Sequence, residues 1–129
     1  MKLPAEIQFL NSAFQTQKTT TARMDGKVSI ITGATSGVGY HAARRLAEGG
    51  ASLVLVCRNA EKAEDLRKEL FQAYNTKVEI VLADFSRLSD VRKAADFILD
   101  RYQQIDVLIN NAGVATFGGI DKVNSDDWR

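Results

Sequence analysis

Residues 32–39 read Thr-Gly-Ala-Thr-Ser-Gly-Val-Gly, and this stretch decides the fold. It follows the apolar run Val28–Ile31, and a helical pattern begins near Gly37. A strand that turns through glycines into a helix leaves backbone N–H groups free at the positive end of the helix dipole. Because glycine has no Cβ, a diphosphate can approach the main chain closely. The stretch predicts an anion site, with a plain glycine turn as the alternative.

Composition sets broad limits on the class of protein. The chain has 129 residues, 45% apolar and 26% charged, which suits one modest globular domain. A net charge of +1 provides no field to attract nucleic acid. Cys57 is the single cysteine, which excludes an intramolecular disulfide and fits a reducing compartment. With no apolar run near the roughly 20 residues of a membrane span, and no secretory signal core, we expect a cytoplasmic protein.

The N-terminal residues 1–23 differ from the rest of the chain. Apolar residues recur there at helical spacing, followed by threonines that favour a linker: Leu3, Ile7, Leu10 and Phe14, then Thr16, Thr19, Thr20 and Thr21. We interpret residues 1–23 as an extension and linker, and residues 24–129 as the domain. A short helix packed on the domain is expected. Association with a membrane surface or a partner is the alternative.

Strand and helix patterns alternate after residue 25. The predicted strands cover 27–32, 52–57, 78–82 and 107–109, and the predicted helices cover 37–48, 60–74 and 88–102. Such alternation implies a parallel sheet with helices on both faces. Right-handed crossovers give the strand order 3-2-1-4. Glu79 within the third strand fits an edge position. Residues 114–129 are predicted to form a loop that enters another helix.

Apolar spacing also predicts which helix faces are buried. The first helix should bury Val38, Ala42, Leu46 and Ala47; the second Ala63, Leu66, Leu70 and Tyr74; and the third Leu88, Val91, Ala95, Ile98 and Tyr102. Cys57 is expected to be a buried strand residue, and His41 to pack within the first helix. Trp128 is expected to be a packing anchor. No second histidine accompanies His41, so no metal site is predicted.

A second motif, Asn110–Gly113 (Asn-Asn-Ala-Gly), follows the fourth strand directly. In open α/β sheets, ligands bind beyond the carboxyl ends of the strands where the strand order reverses. In the order 3-2-1-4 this reversal lies between strands 1 and 4. The two motifs therefore flank one predicted crevice.

Three features together resemble the short-chain dehydrogenase/reductase family over about residues 25 to 120. Thr32–Gly39 has the TGxxxGxG spacing of that family's nucleotide loop, Asn110–Gly113 matches its NNAG motif, and Asp84 matches its adenine-contacting aspartate. The texture around Cys57-Arg58-Asn59 looks most like the branch of retinol dehydrogenase-like enzymes. The resemblance implies a Rossmann-like α/β fold, incomplete because the C-terminal half is absent.

The resemblance also implies the residues that would bind the cofactor. These are Gly33, Ser36, Gly37, Val38, Gly39, Arg58, Asn59, Asp84, Phe85, Asn111, Ala112 and Gly113. The Asp84 carboxylate would accept the adenine amino hydrogen, and residues 111–113 would lie along the ribose. A helix-entry cap is the alternative for Asp84, and a turn-stabilising role the alternative for Ser36. Asn110 is expected to tie strand four to its neighbours.

Arg58 predicts which cofactor is bound. Cys57 stands where members of the family that select NAD usually carry an aspartate, which would bind the ribose hydroxyls. A guanidinium at the next position can hold the 2′-phosphate of NADP through charge-assisted hydrogen bonds. We therefore expect NADP(H), with NAD(H) as the alternative.

The family's catalytic residues are a serine, a tyrosine and a lysine four positions after the tyrosine. No tyrosine here has that lysine, because position +4 is Arg44 after Tyr40, Val78 after Tyr74 and Asp106 after Tyr102. We therefore predict no catalytic residue in this chain, and expect it to be the cofactor-binding half of an enzyme that interconverts a small-molecule alcohol and a carbonyl. A non-catalytic dinucleotide-binding module or regulator, and an inactive truncated product, are the alternatives. A homo-oligomer is left open.

Overall fold

The computed structural model describes residues 4–5, 7–8, 15–16 and 18–113. In chain order the elements are β1 (Val28–Thr32), α1 (Gly37–Glu48), β2 (Ser52–Cys57), α2 (Ala60–Tyr74), β3 (Val78–Leu82), α3 (Leu88–Arg101) and β4 (Val107–Ile109). All strand pairs are parallel, in the order β3-β2-β1-β4. The predicted Rossmann-like sheet and its strand order are confirmed, and the predicted bounds agree to within one residue.

Two hydrophobic clusters cover the two faces of the sheet. Because successive side chains of a strand point to opposite faces, each central strand contributes to both clusters. One cluster joins Ile31, Leu53 and Leu55 to residues of α1 and α2: Ala43, Ala47, Leu66 and Leu70. The other joins residues of β1, β2 and β3 to α3: Ile30, Val54, Val56, Val81, Ala94 and Ile98. This arrangement explains why Leu53–Cys57 is an unbroken buried run.

Two of the predicted helix faces are wrong in detail. Val38 is 79% exposed, whereas Gly39, Ala43 and Ala47 are the buried residues of α1. Ala95 is exposed, and Ala94 packs against the sheet instead. The reason is that adjacent alanines differ by only 100° around a helix and carry too little hydrophobic signal to fix its rotation.

A polar cluster joins α1 to α2. The Tyr40 hydroxyl donates to Glu69 at 2.5 Å, and the Arg44 guanidinium donates to Glu69 at 3.1 Å and to the Tyr74 hydroxyl at 3.3 Å. Exposed ion pairs of this kind add little stability, so the cluster mainly orients the two helices. His41, expected to pack within the helix, is exposed, and its ring forms a T-shaped pair with the Tyr40 ring.

The two edge strands differ in how they are protected. Glu79 of β3 pairs with Arg101 at 2.7 Å and accepts a hydrogen bond from the Tyr102 hydroxyl. Burial and the Glu79 carboxylate raise the pKa of Tyr102 to about 12. Charge on an edge strand discourages pairing with other chains, which agrees with the predicted edge position. The other edge strand, β4, instead exposes an apolar side chain, since Leu108 is 58% exposed.

Several predictions lie outside the described residues. They include most of the amphipathic pattern at positions 3–14 and the predicted loop and helix over 114–129 with Trp128. None of the helices that the structure describes has the length and apolar character needed to cross a membrane.

Candidate functional site

The strand register brings the predicted site residues to one edge of the sheet. Thr32 pairs with Val56, and Ile31 pairs with Ile109, so β1, β2 and β4 end close together. The chain turns immediately after β1, where the Gly33 amide donates to the Val56 carbonyl at 3.0 Å. The carboxyl ends of the strands therefore carry both the glycine loop and the Asn110–Gly113 segment, as predicted.

Glycine is required in this loop for two different reasons. Gly33 and Gly37 have φ angles of +67° and +59°, in the left-handed region that side chains with a Cβ rarely adopt. Gly39 is required by contact, because a Cβ there would lie 2.4 Å from Asn111 Nδ2 and 2.7 Å from the Gly33 carbonyl oxygen. The third glycine of the motif thus lets α1 approach the end of β4.

The first turn of α1 forms an electropositive end that faces the crevice. Ser36 is the N-cap in an extended conformation, and its hydroxyl makes no capping hydrogen bond. The first amides of a helix have no intrahelical partner, and no acidic residue lies in this turn to neutralise them. Val38 is exposed beside them, which is compatible with its predicted place against a ligand. The alternative of a turn-stabilising Ser36 hydroxyl finds no capping bond to support it.

Thr32 fastens the two motifs to each other, a role that the sequence did not single out. Its buried hydroxyl accepts hydrogen bonds from the backbone amides of Asn111 at 3.0 Å and Ala112 at 2.9 Å. The Asn111 side chain donates to the Gly33 carbonyl at 3.0 Å, so this amide holds the loop. Asn110 is exposed, and the ties expected of it are made by Asn111 and Ala112. The sequence signal was a hydroxyl at the last position of a buried strand, which indicates a buried polar group but not its partners.

Arg58 and Asn59 lie at the end of β2. Asn59 is the N-cap of α2, and its side-chain oxygen accepts from the Lys62 amide at 3.0 Å. Arg58 is exposed between this cap and the buried Cys57, whose thiol pKa is raised by burial. The backbone of Arg58 is thus held between the end of β2 and the start of α2, while its side chain reaches solvent.

Asp84 closes the far side of the crevice, just after β3. Its Oδ1 accepts hydrogen bonds from the Ser86 amide at 2.9 Å and the Ser86 hydroxyl at 2.7 Å. These two bonds, with smaller contributions from the Arg58 and Arg87 charges, lower the pKa of Asp84. Arg87 is the N-cap of α3, so Asp84 does not occupy the cap position itself, but its carboxylate accepts two bonds in the turn that leads into the helix. Phe85 is partly exposed beside it.

A doubly wound parallel sheet with a glycine loop at its reversal point defines a Rossmann-like α/β protein. The family model of the short chain dehydrogenases matches residues 27–129. The chain belongs to this family.

Relatives of known name and structure agree with this assignment. The chain is 36% identical to dehydrogenase/reductase SDR family member 4 of Caenorhabditis elegans, over 82% of this chain and 41% of the relative. It is 39% identical to human retinol dehydrogenase 11, over 74% of this chain and 30% of that protein. The resemblance to the retinol dehydrogenase-like branch is therefore supported by sequence identity.

Solved structures reproduce the same architecture. The structure of L-sorbose reductase from Gluconobacter frateurii with NADPH and L-sorbose superposes with a TM-score of 0.71 and 28% identity, covering 84% of this chain and 41% of that one. A short-chain dehydrogenase from Sphingobium yanoikuyae in complex with NADPH gives a TM-score of 0.67 and 36% identity, covering 78% and 39%. The chain spans less than half the length of these relatives.

Proposed function

We propose that this chain is the cofactor-binding part of an NADP(H)-dependent oxidoreductase that interconverts an alcohol and a carbonyl. The observation that carries the proposal is the joining of the Thr32–Gly39 loop to the Asn110–Gly113 segment at the reversal point of the sheet. Family membership supports the oxidoreductase class, and the crevice geometry supports a dinucleotide as its ligand.

Each side of the crevice fits one part of such a ligand. The amides at the start of α1 would bind the diphosphate, because they are unpaired within the helix and the first turn of α1 holds no acidic residue. Residues 111–113 would line the ribose on the nicotinamide side, and Asp84 with Phe85 would line the adenine. When bound, the dinucleotide supplies or accepts a hydride. The residues of this chain bind and orient it.

The choice of NADP(H) over NAD(H) is argued from charge. Arg58 is exposed at the end of β2, and its positive charge makes a small contribution to the lowered pKa of Asp84. A 2′-phosphate held there would gain charge-assisted hydrogen bonds. An aspartate at the position of Cys57 would have repelled that phosphate. Both structural relatives named above hold NADPH, which agrees with this choice.

We further propose that these 129 residues bind the cofactor without turning over a substrate. The three tyrosines are Tyr40, Tyr74 and Tyr102, and none has a lysine four residues later. A lysine in that position would lower the tyrosine pKa, whereas the environment of Tyr102 raises it to about 12. The alcohol or carbonyl substrate of the whole protein and its oligomeric state stay predictions.

The test combines binding with turnover on the purified chain. NADPH fluorescence titration should give saturable binding. An assay of NADPH consumption with mixed aldehydes and ketones should give no rate above the chain-free control. Absence of saturable binding would contradict the proposed ligand and would favour the alternative that the chain is an inactive truncated product. A measurable rate that is lost in the Gly39→Ala variant would contradict the absence of catalysis.

A further inference from the structure

The turn that follows β3 holds Asp84 from several directions. The Asp84 amide donates to Asp90 Oδ2 at 3.2 Å, and its carbonyl accepts from the Arg87 amide at 3.0 Å. Its Oδ1 accepts from both the amide and the hydroxyl of Ser86, at 2.9 and 2.7 Å. Backbone and carboxylate are therefore both fixed, although the residue lies at the surface in a loop.

The two bonds from Ser86 fall on the same carboxylate oxygen. Two donors on Oδ1 fix the rotation of the carboxylate about its Cβ–Cγ bond, and Oδ2 accepts no hydrogen bond within the part of the chain that the structure describes. Any residue except proline would supply the amide at position 86, but the shorter bond requires a side-chain donor, which is here the serine hydroxyl. Ser86 is itself exposed and belongs to neither core cluster, so its contribution to packing is small.

We propose that Ser86 is a positioning residue, which turns the Asp84 carboxylate so that Oδ2 is presented to the exocyclic amino group of adenine. The proposal rests on the proposed function, since it concerns the adenine end of the same crevice. A carboxylate that is fixed before binding loses less rotational entropy when it accepts the amino hydrogen. It also disfavours a purine that places an oxygen at that point, because two acceptors would then face each other.

The test compares NADPH with its hypoxanthine analogue, in which a carbonyl oxygen replaces the amino group. The wild-type chain should bind NADPH about tenfold more tightly than the analogue. Ser86→Ala should reduce this preference to below about threefold, by weakening NADPH alone. Ser86→Thr keeps the hydroxyl and should restore the preference. Ser89→Ala removes an exposed hydroxyl from the first turn of α3 and should leave the preference unchanged. A merely structural role would weaken both nucleotides equally.

A second measurement is independent of any nucleotide. Because hydrogen bonds to the charged form lower a carboxyl pKa, Ser86→Ala should raise the pKa of Asp84 in an NMR titration of the free chain. An unchanged pKa, or an unchanged preference for adenine in Ser86→Ala, would overturn the positioning role while leaving the proposed function standing. A wild-type chain that binds neither nucleotide would overturn both.

Discussion

The side-chain amide of Asn111 donates a hydrogen bond to the backbone carbonyl of Gly33 at 3.0 Å, across 78 residues of sequence. This bond joins the end of β4 to the end of β1, where the strand order reverses. It brings the two motifs of the crevice into one rigid unit.

The Thr32 hydroxyl should be needed to hold the Asn110–Gly113 segment against β1. Thr32→Val keeps the shape of the side chain but removes the acceptor for the amides of Asn111 and Ala112. We expect a loss of about 1–3 kcal/mol in the free energy of unfolding, measured by urea denaturation. Hydrogen exchange at those two amides should accelerate more than at β2 amides. Thr32→Ser, which retains the hydroxyl, should keep most of the protection. Equal protection in Thr32→Val and wild type would contradict this role.

Gly39 should be less tolerant of substitution than Gly37, although both belong to the same motif. In Gly39→Ala the new Cβ would lie 2.4 Å from Asn111 Nδ2 and 2.7 Å from the Gly33 carbonyl oxygen, so the Asn111 side chain must turn away and the loop backbone must shift, at a cost of about 1–3 kcal/mol. In Gly37→Ala nothing lies within 4 Å of the new Cβ, and only its left-handed φ costs about 1–2 kcal/mol. NMR chemical shifts of Asn111 and Ala112 should therefore change in Gly39→Ala and stay nearly constant in Gly37→Ala. The reverse pattern would refute the contact.

The stability of the chain should fall in acid partly through Asp106. The Asp106 carboxylate accepts from the Val28 amide at 2.8 Å and from the Gln104 side chain at 2.6 Å, and these bonds, with Lys27, lower the pKa of Asp106. A lowered pKa stabilises the folded state above the unfolded value of about 3.9, and this stabilisation is lost as the pH falls through the folded value.

Asp106→Asn should therefore be less stable than wild type near neutral pH, and the difference should shrink below about pH 4. Urea denaturation across this pH range measures it. Asp96→Asn removes an exposed carboxylate on α3 and serves as the control. If the difference in the free energy of unfolding between Asp106→Asn and wild type stays constant with pH, the Asp106 carboxylate does not contribute to the loss of stability in acid.

Local sequence features were sufficient to predict the sheet. The unbroken apolar run Leu53–Val56 and the charged edge residue Glu79 reflect where a strand lies in a parallel sheet, and both were interpreted correctly. The first two glycines of the loop could be placed for the same reason, since Gly33 and Gly37 adopt left-handed backbone conformations that belong to the turn itself. The order of the strands in the sheet then followed from the right-handedness of the crossover connections.

The details that failed depend on contacts between distant parts of the chain. The rotation of α3, which buries Ala94 rather than Ala95, is set by packing on β1 and β2. The bonds from Asn111 and Ala112 to Thr32 depend on the register of β1 against β4. No local pattern specifies a register between segments about 80 residues apart, so the tie between the motifs could not be predicted.

The central claim, that the crevice binds NADP(H) with Arg58 selecting its 2′-phosphate, is tested by titrating NADPH and NADH into wild type and Arg58→Asp. We predict that Arg58→Asp weakens NADPH binding about 10- to 100-fold, from the loss of a charge-assisted contact of about 1.5–3 kcal/mol, and changes NADH binding less than threefold. Arg92→Asp makes the same charge change on the exposed face of α3 and should affect neither. Equal weakening of NADPH and NADH by Arg58→Asp would contradict the claim.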